Sequence, residues 1–565
     1  MTPGRFHRPP SEVMRLARMG AAHPTRLSFL RQLLRRVEVE RWGFDRPVWR
    51  LDDRGVGVAV YRLTGPRRVY SLVAFSHDLP PEQRSDRVIA EAWDATFALH
   101  DGTPDESTLA RLQANVPLQE AGRVTGSELC LSRANRSVRV FERVVDRLAR
   151  GRQPEAAELD AVGYLMRTTA VYGSGKFGAA DHCLIADRAE LEAPFQAEMM
   201  TVWLIRSFML DLVDHLASVR GGANATRLAP ALRRRLGVGN STGLGMAPFL
   251  VRHPILLNNW MLAREEALAR VRALPAVTGS ALADFQAALT RAQANAAVWR
   301  SEHPRQAGRL QDLRQDLERL DHYLRGWPGQ RQRSEPHPWD ALWRWGGTAL
   351  SLEGQEALLA LLLEPHGDRV DGLGGCMSAD ESGWRAIDGR MSVGELRSLL
   401  QRHYAWALEI DYSEPGEQAL FWYVSEEKLE PRLGARGIEP GAELEQPLDI
   451  GRQARKLADA LAGWQASEPL AAFLLACPEH RSPVRRIQTT RSSPYAEIQD
   501  NLIGSSLCPI DLLRCKLAFF GASRFDPRSD RWVRISLFQD APGPEELCRS
   551  TPARDPGPQP AASGA

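Results

Sequence analysis

The stretch beginning at Pro194, PFQAEMMTVWLIRSFMLDLVDHLASVRGG, constrains the fold more than any other part of the chain. Its apolar residues do not keep to one stripe but cover almost the whole circumference of a helix. A helix of that kind has to be enclosed by other elements rather than laid on a surface. Pro194 suits the first helical position, where its missing N–H is no loss. Gly221 supplies the stop. The pattern predicts a central, buried helix over 194–221. No run of 18 uninterrupted apolar residues occurs in the chain, so no membrane span is expected.

The elements expected to surround it differ along the sequence. GVGVAVYRL (55–63) alternates Val56, Val58 and Val60 on one face, and RRVYSLVAFSH (67–77) returns beside it after the turn TGPR. DRVIAEAWDATFAL (86–99) reads as a third strand. From 104 to 327 the spacing is helical, and SALADFQAALTRAQANAAVW and RQAGRLQDLRQDLERLDHYLRGW read as an exposed antiparallel pair. PGQRQRSEPHP (328–338) reads as a linker. Beyond it, HYAWALEIDYSEPGEQALFWYVSEEK reads as a hairpin and RWVRISLFQD (531–540) as a strand. The expected class is α+β: an N-terminal antiparallel sheet, a large helical middle and a C-terminal α+β region. The expected division is 1–103 (N-terminal helix plus antiparallel sheet), 104–327 (helical domain with glycine-rich loops), 328–545 (C-terminal α+β region) and 546–565 (disordered tail).

Charge and cysteine usage narrow the function classes. The net charge is +2 in 565 residues, which argues against nucleic acid and against an anionic membrane surface as general partners. Seven cysteines are dispersed and never spaced C-x-x-C, which argues against a disulfide framework and a structural zinc site. The N-terminus has no apolar signal region, so a reducing cytoplasm is the expected location. No cofactor is identifiable from the sequence, and no metal ligand is assigned in the leading expectation.

Only four of the 72 basic residues are lysines, and one of them, Lys176, sits in YGSGKFGAADH (172–182). Gly173, Gly175 and Gly178 free the backbone for close approach to a ligand. Lys176 is a compact cation suited to a carboxylate or phosphate, with Asp181 and His182 close behind. A tight turn with a solvated lysine explains the same residues. LGVGNSTGLGMAPFLVRHP (236–254) offers a second glycine-rich loop, in which Asn240, Ser241, Thr242 and Gly243 precede Arg252, His253 and a helix start near Pro254. Capping and close packing are its plain explanation.

Asp211 and His215 lie four apart on the buried helix, beside Asp214, so Asp211 is placed to orient the imidazole for general base work. With Glu198 and a second helix they also make a candidate metal set, while a polar helix end facing water accounts for them equally. The segment 484–532 offers Arg485, Arg486 and Arg491 for an anion, and Cys508 and Cys515 as thiols; packing is its plain explanation. Glu426, Glu427 and Glu430 form a further acidic run. The leading expectation is a cytoplasmic enzyme performing group transfer or a lyase step on a small anionic substrate held between the two glycine-rich loops. Lys176, His182, His215 and Asp211 are its candidate catalytic residues. Gly175, Asn240, Ser241, Thr242, Gly243 and Arg252 are its candidate substrate-binding residues. A scaffold protein with structural glycine loops, self-associating through helices 279–325, is the first alternative. An RNA-associated protein, suggested by Arg233–Arg235, is the second.

Overall fold

The computed structural model describes residues 6–83, 92–117, 125–169, 187–243, 253–327, 336–377, 386–412, 421–424, 431–434, 447–499, 509–527 and 532–550. The long helix forms as Gln196–Gly221. It is entered through Phe195 in the left-handed region (φ 63°) and left through Gly222 (φ 54°). Met199, Trp203, Phe208 and Leu212 along it are fully buried. The all-round apolar pattern has the structural cause expected of it.

What encloses the helix is a ten-stranded sheet. Strands β1 (Gly43–Leu51), β2 (Gly57–Thr64), β3 (Val69–Ser76), β4 (Ala95–Asp101), β5 (Glu128–Arg136) and β6 (Tyr164–Thr168) follow one another antiparallel. β7 (Gly237–Gly243) then lies parallel to β6. A separate two-stranded ribbon joins β8 (Phe421–Val424) to β9 (Pro431–Gly434). The main sheet is completed by β10 (Arg524–Pro527), β11 (Trp532–Leu537) and β12 (Arg549–Ser550), in the order β10-β11-β7-β6-β5-β4-β3-β2-β1-β12. The class is therefore α+β, with an antiparallel sheet at the N-terminus as expected.

Register decides which side chains meet the helix. Tyr61↔Leu72 and Leu63↔Tyr70 share the inner face. The Val58 and Val60 face looks outward and is covered by Leu109 and Leu112 of the helix Glu106–Asn115. Both faces of β2 are thus covered. The inner face is concave. The single ring of Phe208 meets Trp49 of β1, Tyr61 of β2 and Phe97 of β4, at centroid distances of 6.5, 6.5 and 5.5 Å. The helix touches every strand from β2 to β7.

One principal core takes residues from either side of both 103/104 and 327/328, including Leu99, Leu129, Leu324 and Trp339. A second, smaller core lies among the helices Val393–His403, Pro447–Leu461, Leu470–Ala476 and Arg481–Ser492. The helices Gly279–Val298 and Pro304–Arg325 form the expected pair. Their apolar faces, however, turn into the principal core through Phe285, Leu289, Leu313 and Leu320. No helix among the described residues is long and apolar enough to cross a membrane.

Two expectations need correction. Residues 237–243 are not a loop but β7, held between β6 and β11. Its glycines serve close approach within the sheet. A Cβ at Gly237 would lie 2.4 Å from the Leu537 carbonyl oxygen, and one at Gly239 would lie 2.7 Å from the Tyr164 ring. The expected hairpin over 403–428 does not form as read. Ala405–Leu408 is a short helix, and β8 pairs with β9 instead.

The N-terminal segment is anchored by buried charge. Arg8 grips Glu265 with two hydrogen bonds of 2.9 and 2.7 Å and also donates to Glu356 at 3.0 Å. Arg264 pairs with the other oxygen of Glu356, and Arg18 approaches Glu356 at 3.4 Å. In the same N-terminal segment His23 is half-buried, and desolvation pushes its imidazole down to about 4, with Glu364 opposing and Arg31 and Arg291 assisting. The neutral ring is then favoured in the folded state, while the unfolded chain takes up its proton near pH 6.5. Stability is therefore expected to fall as pH drops from 6.5 to 4, with His23 contributing about 2–3 kcal/mol. Melting curves at pH 7.5 and 4.5 check this. His23→Gln should remove that share of the loss.

Candidate functional site

The 196–221 helix is apolar nearly all round, but Ser207, Asp211, Asp214 and Ser218 recur at spacings of four, three and four residues. That places them on one face. The stripe floors a cleft of about 680 Å³. Its walls are Arg46 and Trp49 from β1, the turn 225–227, Arg233 and Arg234 from the helix Pro230–Arg235, and the segment Gly543–Glu546. The cleft therefore opens where the concave sheet leaves the helix uncovered.

Most charges in the cleft are spent on one another. Asp211 accepts from Tyr61 and Arg46, both at 2.8 Å, and from Arg233 at 3.4 Å. Burial and the Asp211 carboxylate hold the Tyr61 phenol well above its ordinary value. Asp214 accepts from the Leu228 N–H at 3.0 Å and from Arg233 at 2.8 Å, yet desolvation still pushes its carboxyl upward. Arg234 pairs with Glu546. Arg206 is buried and donates to four carbonyls, those of Leu236, Ala541, Arg233 and Arg234, at 2.7 to 3.2 Å. It holds together the end of the 230–235 helix, the start of β7 and the 541 turn, and it stays a cation although burial lowers it to about 10.

Two charges remain. The guanidinium of the exposed Arg227 makes no hydrogen bond or ion pair with described residues, and stands within electrostatic reach of Asp214. Glu545 accepts from its own backbone N–H and enters no ion pair with described residues. His215 completes the set. Its Nε2 lies 2.8 Å from the Asp52 carbonyl, and its ring stands edge-on to Trp49 at 5.7 Å. A carbonyl only accepts, so Nε2 carries the proton and the neutral ring keeps its lone pair on Nδ1.

The sequence-predicted residues are distributed as follows. Asp211 and His215 both line the cleft, but they are not a hydrogen-bonded pair. Asp211 is committed to Tyr61, Arg46 and Arg233, and the imidazole is oriented by the Asp52 carbonyl instead. Among the described residues no group of three His, Cys, Asp or Glu side chains is placed to hold a metal ion, Glu198 included. Lys176, Gly175 and His182 lie outside the described residues, as do Arg252, Cys508, Glu426, Glu427 and Glu430. Asn240, Ser241, Thr242 and Gly243 lie on β7, and Asn240 is not among the residues that line the cleft. The start of that seven-residue strand is at the cleft through Leu236, and its end is about 20 Å away. Asn240 Nδ2 donates to the Thr168 carbonyl at 3.0 Å, while its Oδ1 is buried without a partner. Arg486 is spent on Glu497, and burial pushes the Cys515 thiol up to about 12, which removes it as a neutral-pH nucleophile.

Sequence reading missed Arg227, Glu545 and Trp49. The polar stripe at helical spacing was a usable signal for the floor. The walls come from β1, from the stretch 225–235 just after the floor helix and from 543–546, and of these only Arg233–Arg235 stood out in the sequence, as an arginine cluster. No protein-family model, curated protein or solved structure matches the chain.

Proposed function

We propose that the chain is a cytoplasmic enzyme that binds a small carboxylate- or phosphate-bearing substrate in this cleft and moves a proton on it in a group-transfer or lyase step. One observation carries the reading: Arg227 lines the cleft as an exposed guanidinium with no hydrogen-bond or ion-pair partner among the described residues, while the cleft's other arginines are committed. A planar guanidinium suits a bidentate oxyanion. His215, fixed through Nε2 and basic at Nδ1, is the proton carrier. Asp211 is a positioning residue that holds Arg46 and Tyr61 at the floor.

Thermal stabilisation by a panel of small carboxylates and phosphates tests the proposal. At least one should stabilise the wild type and fail to stabilise Arg227→Met. His215→Asn should keep that stabilisation and lose turnover. Equal stabilisation of wild type and Arg227→Met would take the anion out of this cleft.

A second reading keeps the substrate between the two glycine-rich segments. It is favoured by the parallel pairing of β6 and β7, because both segments follow the carboxyl ends of neighbouring parallel strands, with Thr168 opposite Asn240. Open crevices at such ends are common ligand sites. In this reading Lys176 and Arg252 hold the anion, and Lys176→Met, not Arg227→Met, abolishes the stabilisation.

A further inference from the structure

The charge balance of the cleft says more about the ligand than its sign. Nine ionised side chains line it: five arginines and four carboxylates. Arg46, Arg233 and Arg234 are paired with Asp211, Asp214 and Glu546. Arg206 is used by backbone carbonyls. Among the described residues, what is left is one guanidinium, Arg227, and one carboxylate, Glu545. They are carried by different walls, the 225–227 turn and the 543–546 segment.

We propose that the ligand is a small zwitterion, an amino-acid-like molecule whose carboxylate or phosphate meets Arg227 and whose ammonium meets Glu545. The inference rests on the cleft reading above and adds the cationic end of the ligand. Two further facts support it. Glu545 is exposed, yet enough protein surrounds its carboxyl that desolvation, with repulsion from Asp211, pushes it upward against the pull of its own backbone N–H and of the more distant Arg233 and Arg206, neither of which forms an ion pair with it. A cation arriving there relieves that repulsion, whereas a second anion would add to it. The Arg46 guanidinium already lies over the Trp49 ring at 4.4 Å, which makes the Glu545 carboxylate the stronger seat for an ammonium.

The test uses matched pairs that differ only in the ammonium. L-alanine, L-glutamate and L-phenylalanine are compared with L-lactate, L-2-hydroxyglutarate and L-phenyllactate, and ethanolamine phosphate with ethylene glycol monophosphate. Binding to the full chain is followed by thermal shift and calorimetry. At least one zwitterion should bind about three- to fivefold more tightly than its hydroxy partner, the effect of one ion pair at an exposed carboxylate. Glu545→Gln should level that pair by weakening the zwitterion alone, and Arg227→Met should weaken both members. Both positions are exposed, so the variants should fold. If hydroxy acids or the glycol phosphate bind as well as their amino partners, the zwitterion proposal is overturned and the anion reading stands. If no compound of either kind binds, both fall together. If the amino preference survives in Glu545→Gln, the ammonium is held elsewhere and the assignment fails.

Discussion

Glu356→Ala is expected to destabilise the protein by about 3–5 kcal/mol. The carboxylate is fully buried and holds three guanidinia, those of Arg8, Arg264 and Arg18. Without it, Glu265 is the one buried carboxylate left to the three cations, and Arg18 keeps only the more exposed Glu12 at 3.9 Å. Arg264 already has its pKa lowered to about 10, mainly by desolvation and then by Arg8. Removing the neighbouring anion leaves a buried charge uncompensated, which costs far more than a surface pair is worth. Glu356→Gln keeps the volume and one acceptor, so its difference from alanine separates charge from packing. Glu356→Leu combined with Arg264→Met should recover much of the loss, because a buried pair replaced by apolar residues is often neutral. The shift of the first unfolding transition in urea measures all three. A loss below about 1 kcal/mol for alanine would mean that water reaches the network.

Gly20→Ala is the second large expected effect, at about 3 kcal/mol. Its Cβ would lie 2.3 Å from the Arg514 carbonyl carbon and 2.4 Å from the Cys515 nitrogen. Both are backbone atoms of the helix Pro509–Phe520, so no change of rotamer relieves the clash. The N-terminal segment has to lift off that helix. Glu353 would feel this directly, since it accepts from the Ala22 N–H at 2.5 Å and pairs with the buried Arg514. Gly347→Ala is the control. It lies in the helix Pro338–Ala349 with nothing near the added methyl, and should be neutral or stabilising. Comparable melting of the two variants would refute the packing argument.

The parts of the fold that could be read from sequence were those set by local periodicity. The 196–221 helix, β2, β3 and the helices beginning at Pro254, Gly279 and Pro304 all follow from side-chain spacing. β7 was not readable, because GVGNSTG carries the composition of a turn. Its strand conformation is imposed by neighbours that press on it, the Tyr164 ring on one side and Leu537 on the other. The site divides the same way. Asp211 and His215 were visible because four residues along a helix is a local relation. Arg46, Tyr61 and the Asp52 carbonyl, which determine what those two residues can do, come from β1, β2 and the turn between them, 150 to 165 residues away. Arg227 and Glu545 could not be singled out in a chain with 72 basic and 70 acidic residues. What sets them apart from the other charged side chains of the cleft is that neither bonds to another described side chain or carbonyl, which is a property of the folded molecule.

The parallel β6–β7 pairing also bears on how the chain is made. β7 has β6 to pair with at once, but its other neighbour, β11, is encoded about 290 residues later. At 5–20 residues per second, a ribosome needs roughly 15–60 s to deliver it. Throughout that interval the nascent sheet ends in an unpaired row of N–H and C=O groups, which is the template that drives strand addition between chains. The turn-like composition that hid β7 in the sequence then has a use. A waiting edge made of glycine, asparagine, serine and threonine offers a neighbouring chain little apolar surface to seal against.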